Sequence, residues 1–300
     1  MKKIEIIKKH SNMILFAVIF VLTLISIINS LTSIYATSSL VKEGKVCVPV
    51  IMYHQVKTKD LGKDVISPQE FENDLKYLAE NNYTTITMSQ LIAFVYDGVE
   101  LPENPIILSF DDGYFSNYVN VFPLLKKYNM KIVLSIIGKS TDDFSKVVDN
   151  NIDHAHITWE QVKEMSESGY VEIQNHSYNL HKISKNRYGS GQKDNESFEN
   201  YEEVLTNDIV LLQNKVTETT NSTPSTYVYP YGKYNNNTDE ILKKLGIKAT
   251  LSVKYGVNIF DRNNPNPEKL FGLKRICRAH SQSIGKVLRD GMETLKYSSE

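Results

Sequence analysis

Along most of the chain, short apolar runs alternate with segments whose apolar residues recur at helical spacing. The runs Val46–Met52, Pro105–Phe110, Lys131–Ile137, Tyr170–Gln174, Thr226–Tyr229, Ile247–Val253 and Leu273–Arg278 are expected as strands, each short and bounded by turn or breaker residues. Between them, Ser67-Pro68-Gln69-Glu70 has a capping-box pattern with proline at the first helical position, and Phe71, Leu75 and Leu78 mark one face behind it. Ser89–Tyr96 predicts a second short helix, and Val119–Tyr128 a third around Pro123. Thr158-Trp159-Glu160-Gln161 is another capping box, opening a helix that stops at Gly169. A polar loop, Ser184–Ser197, precedes a long amphipathic helix marked by Tyr201, Val204, Leu205, Ile209, Leu212 and Val216. Thr238–Leu245 reads as helix, Asn258–Pro267 as an Asn/Pro-rich loop, and a C-terminal helix follows the last strand. This order predicts an α/β fold with a parallel sheet, open or closed into a barrel.

The N-terminus breaks the pattern. Lys2, Lys3, Lys8 and Lys9 precede an apolar run, Met13–Ile28, interrupted only by Thr23 and Ser26, and Ile34-Tyr35-Ala36 resembles a signal-peptidase site. Extended to Ile34, the run reaches about 22 residues, enough to span a bilayer uncleaved. Residues 1–36 are therefore expected to be a signal peptide or signal-anchor, 37–45 a linker, and 46–300 one folded domain outside the cytoplasm, anchored at the cell surface or secreted. Lys and Arg total 34 against 35 Asp and Glu, a net charge of −1 that argues against a nucleic-acid partner. No obligate protein partner is predicted. Cys47 and Cys277, on the first and last expected strands, are read as two free thiols, with a disulfide as the alternative in an exported protein.

Four polar clusters fall where expected strands end: Tyr53-His54, Asp111-Asp112, His176 with His181, and Tyr229-Pro230-Tyr231-Gly232. Adjacent carboxylates at the end of an apolar strand repel and lose hydration unless a cation or proton intervenes. Two imidazoles and one carboxylate form a divalent-metal site with open positions, which would free the second acid to act as a base. On spacing alone, a helix-capping acidic pair and two structural histidines explain the same residues. Histidines five apart converge on neither a helix nor a strand, so ligation requires an irregular loop, with which Asn175 and Asn179 are compatible. His154 and His156 read as exposed loop residues, and Trp159 as a packing residue.

Taken together, Ser109-Phe110-Asp111-Asp112-Gly113-Tyr114, His176-Ser177 with His181, and Tyr229-Pro230-Tyr231-Gly232 resemble, in order, three motifs of the polysaccharide deacetylase family (NodB-homology, carbohydrate esterase). Val48–His54 resembles the opening of the subgroup that includes the intercellular-adhesin, poly-N-acetylglucosamine deacetylases. The resemblance spans roughly residues 46–280. It implies a distorted (β/α)7 barrel and a divalent metal, zinc above others, held by Asp112, His176 and His181. Asp111 would be the general base. Tyr231 would supply a backbone N–H and line the acetyl pocket, with Tyr114 also on the substrate side. The implied substrate is an N-acetylated amino-sugar polymer, peptidoglycan or poly-N-acetylglucosamine.

Departures from the family pattern accompany the likeness. The histidines are five apart rather than four, as in the adhesin-deacetylase subgroup, and the arginine that usually orients the base is missing from the third motif. The family's aspartate-tryptophan motif has no clear counterpart, and neither does its late leucine-histidine motif. The general acid is left between His280 and His54. A glycosidase on a related barrel, or a carbohydrate-binding module without activity, are the alternative readings.

Overall fold

The computed structural model describes residues 12–24, 44–184 and 187–297. Residues 12–24 form a helix with exposed apolar side chains. No helix among the described residues is long and apolar enough to cross a membrane. The rest of the expected signal or anchor segment, and residues 37–43 of the expected linker, lie outside the described residues.

Seven parallel strands form the frame: β1 (Val50–Tyr53), β2 (Pro105–Phe110), β3 (Ile132–Ile136), β4 (Val171–Asn175), β5 (Thr226–Val228), β6 (Ala249–Tyr255) and β7 (Leu273–Cys277). Each pairs with the next. Strand β1 pairs with both β2 and β7, in registers Tyr53↔Phe110 and Met52↔Cys277, so the sheet closes into a barrel. Thr84–Thr85 adds a short flanking strand beside the start of β2. Every residue of β2 and β3 is buried, as a parallel sheet covered by helices requires.

Helices follow most strands: α1 (Pro68–Glu80), α2 (Met88–Asp97), α3 (Phe122–Tyr128), α4 (Gly138–Lys146), α5 (Trp159–Glu167), α6 (Phe198–Thr220), α7 (Asn236–Lys244) and α8 (Ile284–Glu293). The capping boxes expected at Ser67 and Thr158 are present, each side-chain oxygen accepting the N–H three residues on. One apolar cluster joins barrel strands to helices α1, α3, α5 and α8 through residues such as Phe71, Phe110, Leu134 and Val287. A second lies around α6 and α7, with Leu205, Ile209, Tyr227 and Leu242.

Three expectations need revision. Val46–Met52 is two strands, Lys45–Val48 and Val50–Tyr53, parted at Pro49, which has no N–H for a ladder. The first three residues of Val119–Tyr128 belong to a wide π-type turn, Asn117–Val121, before α3 begins. The presumed loop Asn258–Pro267 starts as a strand, Asn258–Asp261, and its last residue opens a 3-10 turn. Cys47 and Cys277 are free thiols with separate neighbours, Met292 Sδ and the Lys63 carbonyl, each at 3.5 Å.

Candidate active site

The chain leaves β2 through Asp111 and Asp112, and their backbone parts them. The Asp111 N–H donates to Tyr53 O on β1 at 3.0 Å, continuing the ladder. Asp112 and Gly113 both take left-handed conformations, φ +73° and +72°. A side chain at Gly113 would press on Ile136 Cγ2 at 3.0 Å, so the turn requires glycine there. A left-handed aspartate costs about 1–3 kcal/mol, the kind of strain found where a side chain must be aimed.

The two carboxylates meet different partners. Arg275, on β7, donates from Nη1 to Asp111 Oδ1 at 2.8 Å and to Ser109 Oγ at 3.2 Å, while its Nε donates to Ser252 O at 2.7 Å. Burial alone would raise the Asp111 pKa, but Arg275, His176 and His54 outweigh it and hold the acid below the usual carboxylate range. Asp112 Oδ1 is buried without a hydrogen-bond partner. It faces His176 Nε2 at 3.4 Å and His181 Nε2 at 3.3 Å, and the three ligand atoms lie within 4.8 Å of one another.

His176 Nδ1 lies 2.8 Å from Val228 O, an acceptor that keeps the proton on Nδ1 and leaves the Nε2 lone pair toward Asp112. Burial disfavours charge on His176, but the close approach of Asp112 and the nearby Asp111 carboxylate outweigh it and raise its pKa. For His181, burial and the neighbouring His176 prevail and bring the pKa down to about 4. A neutral imidazole is what a cation needs there.

The loop between the histidines explains their five-residue spacing. Asn175 Oδ1 accepts the Ser177 N–H at 2.8 Å, and Ser177 turns left-handed at φ +71°. Asp208 on α6 then accepts the N–H groups of Tyr178 and Asn179 at 2.8 and 2.7 Å. Burial raises the Asp208 pKa to about 6 against the pull of those two bonds. Leu180 points into the α6–α7 cluster, which lets His181 swing back over Asp112.

In the third motif, Tyr231 takes φ +56°, and its ring stands 4.4 Å from His181 and 5.0 Å from Tyr188. Gly232 follows at φ +66°, where a Cβ would meet Val253 Cγ2 at 2.2 Å, so no other residue fits without displacing Val253. Tyr229 anchors the turn through its hydroxyl, bonded to Asp239 and to Thr250 Oγ1.

These groups open onto a cavity of about 540 Å³ whose lining includes His54, Asp111, Asp112, Tyr114, Tyr231 and Arg275. His54 Nε2 lies 3.9 Å from Asp111 Oδ2, and its Nδ1 lies 3.7 Å from Asp64 Oδ1. His280, the other expected acid, is not among the lining residues; its Nδ1 lies 2.9 Å from Glu70 Oε2 at the start of α1, a structural position. His156 departs from the exposed-loop reading. Its Nδ1 reaches Asp112 O at 2.9 Å and its ring stacks on Tyr114 at 4.8 Å, whereas His154 is exposed. Trp159 donates to Asp142 at 2.8 Å and packs against the core.

Two residues escaped sequence reasoning. Arg275 supplies from β7 the arginine missing from the third motif; its signal was a cation at an inward-facing position of an apolar strand, flanked by Leu273 and Cys277 at the two-residue period. Asp208 gave no signal, being one polar residue among many on α6.

The fold and site together define a parallel α/β barrel with a buried carboxylate–histidine–histidine group that could hold a metal ion, and a second, separately held carboxylate, at the strand ends. A sequence profile of the polysaccharide deacetylase family matches residues 98–250, just over half of the chain, and the chain belongs to that family. It is 27% identical over 254 residues to the poly-beta-1,6-N-acetyl-D-glucosamine N-deacetylase of Escherichia coli (strain K12), covering 78% of this chain and 37% of that protein. The match to a protein of the same name from Staphylococcus aureus (strain MSSA476) is 26% identical over 203 residues, 68% of this chain and 66% of that one. The chain thus spans little more than a third of the first relative's length and just under two thirds of the second's. In fold it is similar to a solved de-N-acetylase from Aggregatibacter actinomycetemcomitans, with TM-score 0.69 at 23% identity, over 81% of this chain and 99% of that one.

Proposed function

We propose that this chain is a metal-dependent hydrolase that removes N-acetyl groups from the N-acetylglucosamine units of a cell-surface polysaccharide, poly-N-acetylglucosamine ahead of peptidoglycan. The observation that carries the reading is the unequal treatment of two adjacent carboxylates: Asp111 is answered by Arg275, while Asp112 Oδ1 is buried without a partner between two imidazoles. That donor set fits a divalent cation, zinc above others. The names of the relatives favour poly-N-acetylglucosamine, and the expected signal or anchor segment favours an extracytoplasmic site.

Asp112, His176 and His181 would hold the ion, which when bound supplies Lewis acidity toward the amide carbonyl and lowers the pKa of a water. Asp111, kept ionised by Arg275, takes a proton from the attacking water. The backbone N–H of Tyr231 donates to the oxyanion as the carbonyl carbon becomes tetrahedral, and its ring closes one side of the acetyl pocket. His54, beside Asp111 in the same cavity, hands a proton to the amine as the C–N bond breaks. Acetate leaves, and a glucosamine unit stays on the polymer.

Acetate release from poly-β-1,6-N-acetylglucosamine and from peptidoglycan, with and without chelator, tests the proposal. Release should exceed background on the first polymer, vanish on chelation and return with zinc. Asp111→Asn should keep its metal while turnover falls by about 10²–10⁴. Activity that survives exhaustive chelation, full activity in D111N, or reducing-end release without acetate would refute it.

A further inference from the structure

Beyond the catalytic cavity lies a second one of about 600 Å³, lined by Arg187, Tyr188, Lys193, Asp194, Lys233 and Tyr234 among others. Tyr188 lines both cavities. Its ring stacks on Tyr231 at 5.0 Å with an interplanar angle of 10°, and Tyr231 in turn lies 4.4 Å from His181. Lys233 Nζ sits 5.0 Å from the Tyr188 ring centre. A continuous ladder therefore runs from a metal-ligating imidazole, through two tyrosines, to an ammonium group in the outer cavity.

The charge of the outer cavity is uneven. Arg187 is answered by Glu196, whose Oε1 lies 2.5 Å from Nη2 in a largely buried pair. The lining keeps two ammonium groups, Lys193 and Lys233, against one carboxylate, Asp194. A third cation, Lys254, lies 5.3 Å from the Tyr234 ring. Flat aromatic walls suit the faces of pyranose rings. The cations do not suit every sugar equally: an N-acetylglucosamine unit is neutral, whereas its deacetylated product is an ammonium.

We infer that the outer cavity holds the sugar adjoining the one being hydrolysed and, through Lys233 and Lys193, selects for its acetylated form. This rests on the deacetylase reading above. Each turnover then creates a unit that is repelled from the neighbouring position, so the enzyme spaces its products and stops short of complete conversion. At 4–6 Å in a water-like dielectric, one like charge disfavours binding about three- to fivefold, and two cations compound the effect. The repulsion is screened by salt, because both lysines are exposed.

β-1,6-linked trisaccharides test this directly: one fully acetylated, and two carrying glucosamine at the first or the third position. At low ionic strength, kcat/KM for acetate release should be about three- to tenfold higher for the fully acetylated trimer than for one of the mixed trimers. Lys233→Gln should shrink that ratio, Lys233→Glu should bring it to one or below, and 0.5 M salt should erase it. Equal rates on all three trimers, or a ratio unchanged in both variants, would overturn the inference while leaving the deacetylase reading intact. No acetate from the fully acetylated trimer or from the polymer would instead sink the deacetylase reading, and this one with it.

Discussion

Removing the Arg275 charge isolates what the buried pair does. Arg275 and Asp111 side chains are 1% and 3% exposed, and the guanidinium also bonds Ser109 and Ser252. Arg275→Gln leaves a buried carboxylate without its main counter-charge, a change that costs about 3–5 kcal/mol of stability. In an Asp111→Asn background that carboxylate is already neutral, so the same substitution should cost less, with a coupling of about 2–3 kcal/mol between the two positions. Denaturant unfolding of the four proteins of this cycle measures it. Arg275 is a positioning residue, since it reaches the reaction only through Asp111. Loss of one charge-assisted hydrogen bond, about 1.5–3 kcal/mol, predicts a kcat lower by about 10- to 150-fold with KM little changed. Arg275→Lys, which restores charge without the fork, should recover part of it. If R275Q costs the same stability in both backgrounds, or lowers kcat less than twofold, the assignment of Arg275 as the base's support is wrong.

Asp208→Ala should weaken zinc affinity about 10- to 100-fold by releasing the Tyr178–Asn179 backbone, with Asp208→Asn losing less; unchanged affinity by calorimetric titration would remove Asp208 from the site's support. Glu70 supplies a pH dependence away from the metal group: burial would raise its pKa, but hydrogen bonds from Ser67, His280 and Ser281 bring it down from 4.5 to about 2. Because the folded value is depressed, its stabilisation is present above about pH 4.5 and lost as pH falls toward 2, so the stability gap between the parent and Glu70→Gln should close across that window.

The parallel sheet was legible because its strands are buried on both sides, while its closure into a barrel was implied only by the family resemblance. Pro105–Phe110 and Ile132–Ile136 are short apolar runs, buried throughout, of the kind a covered parallel sheet requires. Helix α4 was not legible, since Gly138-Lys139-Ser140-Thr141 carries no helix-starting preference; it is held by the histidine loop, Gly138 and Lys139 donating to Ser177 O and Tyr178 O. At the site, Asp111, Asp112 and the histidines stood out as polar residues where apolar runs stop. Their division of roles depends on contacts that span large separations. Arg275 reaches across 164 positions to Asp111, and His156 across 44 to the Asp112 carbonyl, so local patterning carried neither. His280 looked equivalent to His54 in sequence because both follow a strand. The structure parts them, since one lines the cavity and the other pairs with Glu70.

The origin of Arg275 on the last barrel strand has a consequence for the order in which the candidate site is assembled. Asp111 emerges 164 residues before its guanidinium, about 8–33 seconds of synthesis at 5–20 residues per second. Until β7 enters, the barrel lacks the strand that joins β1 to β6, and a principal counter-charge of its buried acid is absent. Closure of the cylinder and completion of the base are therefore one event. A chain halted before residue 275 would carry all three proposed metal ligands and the third motif, yet lack the first of the charges that hold Asp111 ionised. Such a fragment would hold the proposed ligand residues without the guanidinium that faces Asp111, so the two halves of the site are completed at different times.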